Sequence, residues 1–95
     1  MAAINAVFSG DFDSLKTLSI EQLKERDDFG RNAIHAACFK GNKEMLDYMI
    51  GKLGNDAQSE AKVCDNKGNT SAHYCCGTKW EENAIYATPI KIVNN

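Results

Sequence analysis

No apolar run in this chain approaches the roughly 18 residues needed to cross a bilayer. The N-terminus, MAAINAVFSGDFDS, has no basic segment leading into an apolar one. No membrane partner and no secretion signal is therefore expected, and the location expected is intracellular and cytoplasmic. Positive charge is also scarce: Lys+Arg 11 against Asp+Glu 13 gives a formal net charge of −2, with no concentrated basic run to grip phosphates. Nucleic acid is accordingly not the expected partner. The chain lacks a glycine-rich phosphate loop, Gly-x-Ser-x-Gly, His-Glu-x-x-His and Cys-x-x-Cys. Its adjacent acids, Asp27-Asp28 and Glu81-Glu82, do not face each other across a reacting bond and read as solvated turn and helix-start residues. The sequence thus points to no enzyme, no cofactor and no metal.

What is present suits a folded domain. Hydrophobic residues make up 43% and charged residues 25%, and 95 residues leave room for one domain with a modest core. The stretch Asp27 to Ile50 organises it. Asp27-Asp28-Phe29-Gly30 is turn chemistry, Asn32 is a helix N-cap for Ala33 to Phe39, and Gly41 stops that helix. Glu44 to Lys52 then repeats its apolar residues at a helical spacing. Two short helices joined so tightly lie antiparallel and cannot bury their own apolar face, which calls for copies. Asp65 to Cys76 matches Asp27 to Cys38 at a constant offset of 38 (68 − 30 and 73 − 35). Asn5 to Gly10 matches Ala36 to Gly41 at an offset of 31 (41 − 10), with Leu15 on Leu46 and Leu18 on Met49.

Gly30-Arg31-Asn32-Ala33-Ile34-His35-Ala36-Ala37, followed by Gly41-Asn42-Lys43-Glu44-Met45-Leu46, resembles the ankyrin repeat, whose pattern is Gly-x-Thr-Pro-Leu-His-x-Ala-Ala and then Gly-His-x-Glu-Val-Val. Gly68-Asn69-Thr70-Ser71-Ala72-His73 resembles the same motif. Asn32-Ala33 replaces Thr-Pro, Lys79-Trp80 stands where Gly-His would be, and Ala84 and Ala87 are small where large aliphatics are usual. The resemblance implies an all-α, ankyrin-like stack of helix-turn-helix repeats with short finger turns, about two and a half repeats. Within one domain, 1–95, it implies an N-terminal capping repeat at 1–26, a full repeat at 27–64 and a partial C-terminal repeat at 65–95. It also implies that His35 and His73 bond toward neighbouring fingers.

The remaining joints read as follows. Ala2 to Ser9 and Phe12 to Leu18 form the helices of the first repeat, Ile4 standing where later copies have His. Ser19 to Gln22 has capping-box form, adding a turn over Ile20 to Glu25. Gly54 to Lys62 reads as a polar surface loop, in which Ser59 to Lys62 could form a short helical turn. Thr78 to Glu81 is another capping box, opening a helix that Pro89 ends, with Trp80, Ala84 and Ala87 on one face. The tail beyond it alternates apolar and polar residues, and uncovered Ile85, Tyr86 and Ile90 make the open C-terminal end a candidate for homo-oligomer contacts.

Cys38, Cys75 and Cys76 fall on small positions where neighbouring helices approach, so they are expected to pack as small hydrophobes. A thiol- or zinc-dependent chemistry using Cys64, His73, Cys75 and Cys76 is a rival reading. Adjacent cysteines on a helix, however, point about 100° apart. A second rival is a single-stranded nucleic-acid binder that stacks bases on exposed aromatics.

The main reading is a non-catalytic module that binds another protein through its concave helical face and finger turns, as adaptor or competitive inhibitor. In the resembled pattern the variable positions fall on Phe8, Asp28, Phe29, Arg31, Phe39, Lys40, Asn66, Lys67, Asn69 and Thr78, with Ser9 beside them. Phe8 and Phe39 should stand side by side, with Phe29 projected from a finger and Arg31, Lys40 and Lys67 bordering the surface to select acidic partners.

Overall fold

The computed structural model describes residues 2–80. Its helices are α1 (Ala2–Ser9), α2 (Phe12–Lys16), α3 (Ile20–Leu23), α4 (Ala33–Lys40), α5 (Lys43–Leu53), α6 (Ala57–Ala61) and α7 (Ser71–Cys75), with a 3-10 turn at Gly54–Asp56 before α6. Among the described residues there is no strand. The expected helix after Thr78 and the alternating tail lie outside the described residues from residue 81 onward.

Local chemistry sets most of the boundaries. Asn32 accepts from the His35 amide at 3.0 Å to start α4, and Gly41, at φ 69°, ends it in the left-handed conformation that glycine adopts without penalty. Asn42 caps α5 by accepting from the Met45 amide at 3.1 Å, so that helix begins one residue earlier than its acidic residue Glu44 suggests. Ser19 and Gln22 form the expected capping box, but α3 ends at Leu23, and α2 ends at Lys16. Both are too short to hold further turns once Leu15 and Leu23 have been buried.

The helices lie in two layers. The inner layer is α1, α4 and α7 side by side; α2, α3, α5 and α6 form the outer one. Alanines let the inner helices approach closely: Ala3, Ala6, Ala33, Ala36 and Ala37 are all buried, with Ile34 and Val7 between them. Leu15, Leu23, Met45, Met49 and Leu53 close the core from the outer layer.

The joint after α5 is a correction to the loop expected over Gly54 to Lys62. It folds into the 3-10 turn and α6, and its Ala57 and Glu60 are buried. Asn32 at the head of α4 donates from Nδ2 to the Glu60 carbonyl at 3.0 Å and to its carboxylate at 3.1 Å. Lys24 reaches Asp56 at 2.7 Å and Arg26 reaches Glu60 at 3.5 Å. The segment is thus part of the outer layer, pinned to the end of the first repeat and to the start of the second.

Candidate functional site

The fingers are built by one repeated device. In the first, the Asp27 carboxylate accepts from the amides of Phe29 at 3.0 Å and Arg31 at 2.9 Å, and Gly30, at φ 79°, donates to the Asp27 carbonyl. In the second, Asp65 accepts from Lys67 at 2.9 Å and Asn69 at 2.8 Å, with Gly68 at φ 82° in the same role. A carboxylate folded onto its own turn satisfies donors that would otherwise need water. Burial works to raise the Asp65 carboxyl, but hydrogen bonds from Tyr74, Asn69 and Lys67 outweigh it and hold it below the usual carboxylate value. The Tyr74 hydroxyl donates to that carboxylate. Burial and the carboxylate together push the phenol upward.

Successive fingers are tied to each other. Asn66 donates its amide to the Phe29 carbonyl at 2.8 Å and its side chain to the Asp28 carbonyl at 3.0 Å. His35 spans the same joint: Nδ1 accepts from the Asn32 amide at 3.3 Å, while Nε2 lies 3.1 Å from the Asn69 carbonyl. A neutral ring with its proton on Nε2 serves these two contacts, while the Asn32 side-chain oxygen lies 2.7 Å from Nδ1. His35 is fully buried, and burial lowers its pKa despite the Asn69 carbonyl, which favours the charged form. His73 repeats the local half of the device, accepting from the Thr70 amide at 2.9 Å, but its ring is exposed at the end of the described stack.

The structure distributes the expected binding residues into two groups. Phe8 and Phe39 do stand side by side, their ring centroids 6.0 Å apart, and Lys40 lies over Phe8 at 5.4 Å. Asp28, Phe29, Asn66, Lys67, Asn69 and Thr78 form the second group, at the fingers. Between them lies Trp80, which the sequence reading puts on one helix face with Ala84 and Ala87. Its ring sits 4.7 Å from Phe8, 5.6 Å from Phe39 and 5.6 Å from Tyr74. The indole spans the inner layer from the third repeat to the first. Little in the sequence marked it, beyond its standing at the register of Asn42 (80 − 38) in place of a capping residue.

Arg31 is a correction. It does not border the surface: it is only 4% exposed, and its guanidinium pairs with Asp27 at 2.7 Å. The same group stacks 3.6 Å from the Trp80 ring centroid and 4.6 Å from that of Phe29. A guanidinium engaged on three sides is a structural clamp, and its charge is already matched.

Two clefts result, sharing Phe29 and Arg31. The larger, about 430 Å³, lies between α1 and the first finger and is lined also by Ile4, Asn5, Phe8, Asp27, Asp28 and Trp80. The smaller, about 150 Å³, lies between the fingers beside Tyr74, Thr78 and Lys79.

The cysteines depart from the packing expectation. Cys38 is half-buried, and its thiol is pushed up to about 12, by burial first and by the neighbouring Cys75 thiol second. Cys64, Cys75 and Cys76 are exposed, and all four are free thiols. Among the described residues, no cluster of three His, Cys, Asp or Glu side chains is placed to hold a metal ion. Among the same residues, no helix is long and apolar enough to cross a membrane.

Paired helices, Asp-Gly fingers and a buried His bridging consecutive turns together mark one family. A family model described as ankyrin repeats (3 copies) matches residues 2–86, and the chain belongs to the ankyrin-repeat family. Ankyrin repeats generally serve as protein–protein interaction modules and are typically non-catalytic. A comparison with curated proteins finds no match.

Proposed function

We propose that this chain binds a partner protein without catalysis, as an adaptor or competitive inhibitor, through its fingers and the inner helical face beside them. The observation that supports this best is the fixing of the first finger from behind. Asn66 holds the carbonyls of both Asp28 and Phe29, so these residues are oriented before contact and lose little conformational freedom on binding. Phe39, 39% exposed at the end of α4, adds an aromatic anchor at the opposite end of the same face. Phe8, Lys40, Asn66, Lys67, Asn69 and Thr78 complete the surface. The units 1–26, 27–64 and 65–95 are then successive repeats of one binding platform. An intracellular setting suits a chain whose four cysteines are free thiols.

Site-specific photo-cross-linking tests this reading. A photoreactive residue is placed at Asp28 or Lys40 on the inner face, and at Asp47, an exposed outer-layer position, as control. In extract from the source cell, a discrete protein adduct should form from positions 28 and 40 and not from 47. Adducts of equal yield from all three positions, or from none, would remove the proposal.

A further inference from the structure

Resting on that interaction reading, we infer that the cleft between α1 and the first finger receives a cationic side chain, lysine or arginine, from an extended segment of the partner protein. Ile4 and the rings of Phe8, Phe29 and Trp80 share its lining with Asn5, Asp27, Asp28 and Arg31, and its volume of about 430 Å³ gives room for a long aliphatic stem beside them.

The charge balance sets the sign. Arg31 at the back of the cleft is neutralised by Asp27 at 2.7 Å. That leaves Asp28, whose carboxylate is exposed and makes no hydrogen bond or ion pair among the described residues. A cation entering here meets an unmatched carboxylate, and its aliphatic stem can lie along the rings. Two of those rings already hold the Arg31 guanidinium, with Cζ 3.6 Å and 4.6 Å from their centroids, so the draw on a second cation comes from Asp28.

An acidic side chain in the same place would meet the Asp28 carboxylate, with Arg31 already paired to Asp27. Lys40, the other charge beside these rings, stands over Phe8, four residues and just over one helical turn along α1 from Ile4. The smaller cleft is different in character. Its carboxylate, Asp65, is taken by Tyr74 and the finger amides, and Lys67 and Lys79 are at its rim. The preference for a cation therefore belongs to the larger cleft alone. It reverses the selectivity expected when Arg31 was read as a surface residue.

The test is selection from a random dodecapeptide library displayed on phage, using the full chain and its Asp28→Asn variant as targets. Asp28 uses its backbone, not its side chain, in the finger, so the variant should melt with the parent. Selected peptides should be enriched in Lys or Arg. Their synthetic forms should bind Asp28→Asn about threefold more weakly, a difference that shrinks at high salt. They should also change the emission of Trp80, the only tryptophan in the chain. Acidic or uncharged consensus peptides, or basic ones indifferent to Asp28→Asn, would overturn this inference and leave the interaction module standing. A selection that returns no binder overturns it as well, while the cross-linking result still decides the broader reading.

Discussion

Gly30 and Gly68 occupy equivalent turns with nearly equal backbone angles, φ 79° and φ 82°, yet their surroundings differ. A Cβ on Gly30 would lie 2.7 Å from Asn66 Oδ1 and 3.2 Å from the Asn66 amide, whereas one on Gly68 would meet nothing within 4 Å. Gly68→Ala should therefore cost only the left-handed penalty, about 1–2 kcal/mol. Gly30→Ala should cost more, because Asn66 must also give way and release the first finger. Urea unfolding of the two variants measures the difference, and equal losses would mean that the fingers are not packed as described. His35 makes a second prediction at this scale. Its folded pKa lies below its unfolded value, so its contribution is complete above about pH 6.5 and is lost as pH falls from there through the folded value. Asp65, also depressed, begins to withdraw its contribution only below the ordinary carboxylate range. The midpoint of urea unfolding should thus decline already between pH 7 and pH 5, and a flat profile over that window would contradict the buried, neutral ring.

At the scale of the element, α6 is the informative case. It is five residues long and too short to be stable alone, so its existence depends on Asn32, which caps α4 with Oδ1 and holds Glu60 with Nδ2. Asn32→Ala removes both at once in a fully buried position. It should destabilise the chain by roughly 2–4 kcal/mol, adding a lost cap to unsatisfied buried groups. Hydrogen exchange should show the amides of 57–61 losing protection before those of α4. The same contrast explains what the sequence made legible. The inner helices and fingers could be read because their determinants are local: Asp and Gly in one turn, Asn or Thr three residues before the amide that it caps. Glu60 gave no such sign, since its partner lies 28 residues away. The spacing of Ala57, Glu60 and Ala61 by three and four residues was the available hint. Arg31 was misplaced for the same reason. A charged residue at a variable position reads as surface until a ring from another repeat covers it. The pairing of Phe8 with Phe39 was readable because repeat register alone determines it.

In the whole molecule, the tie between His35 and Asn69 and the bond from Asn66 to Phe29 join neighbours only, as in any stacked array. Among the described residues Trp80 is the exception to the ties named here, since it touches Phe8 in the first repeat as well as Phe39 in the second. Trp80→Ala should accordingly lower the stability of all three units together, by about 2–4 kcal/mol for a half-buried indole, in place of fraying the C-terminal end alone. Near-uniform loss of amide protection in α1 and α7 would be the expected pattern. The contact also has a kinetic meaning. Ring closure between residues 8 and 80 spans 72 residues (80 − 8), whereas each repeat condenses from contacts close in sequence. Helix formation and indole burial should then separate in time during refolding, circular dichroism recovering first and tryptophan emission following. The repeats would assemble as an open ribbon and only afterwards be fastened, first to third, by the one tryptophan.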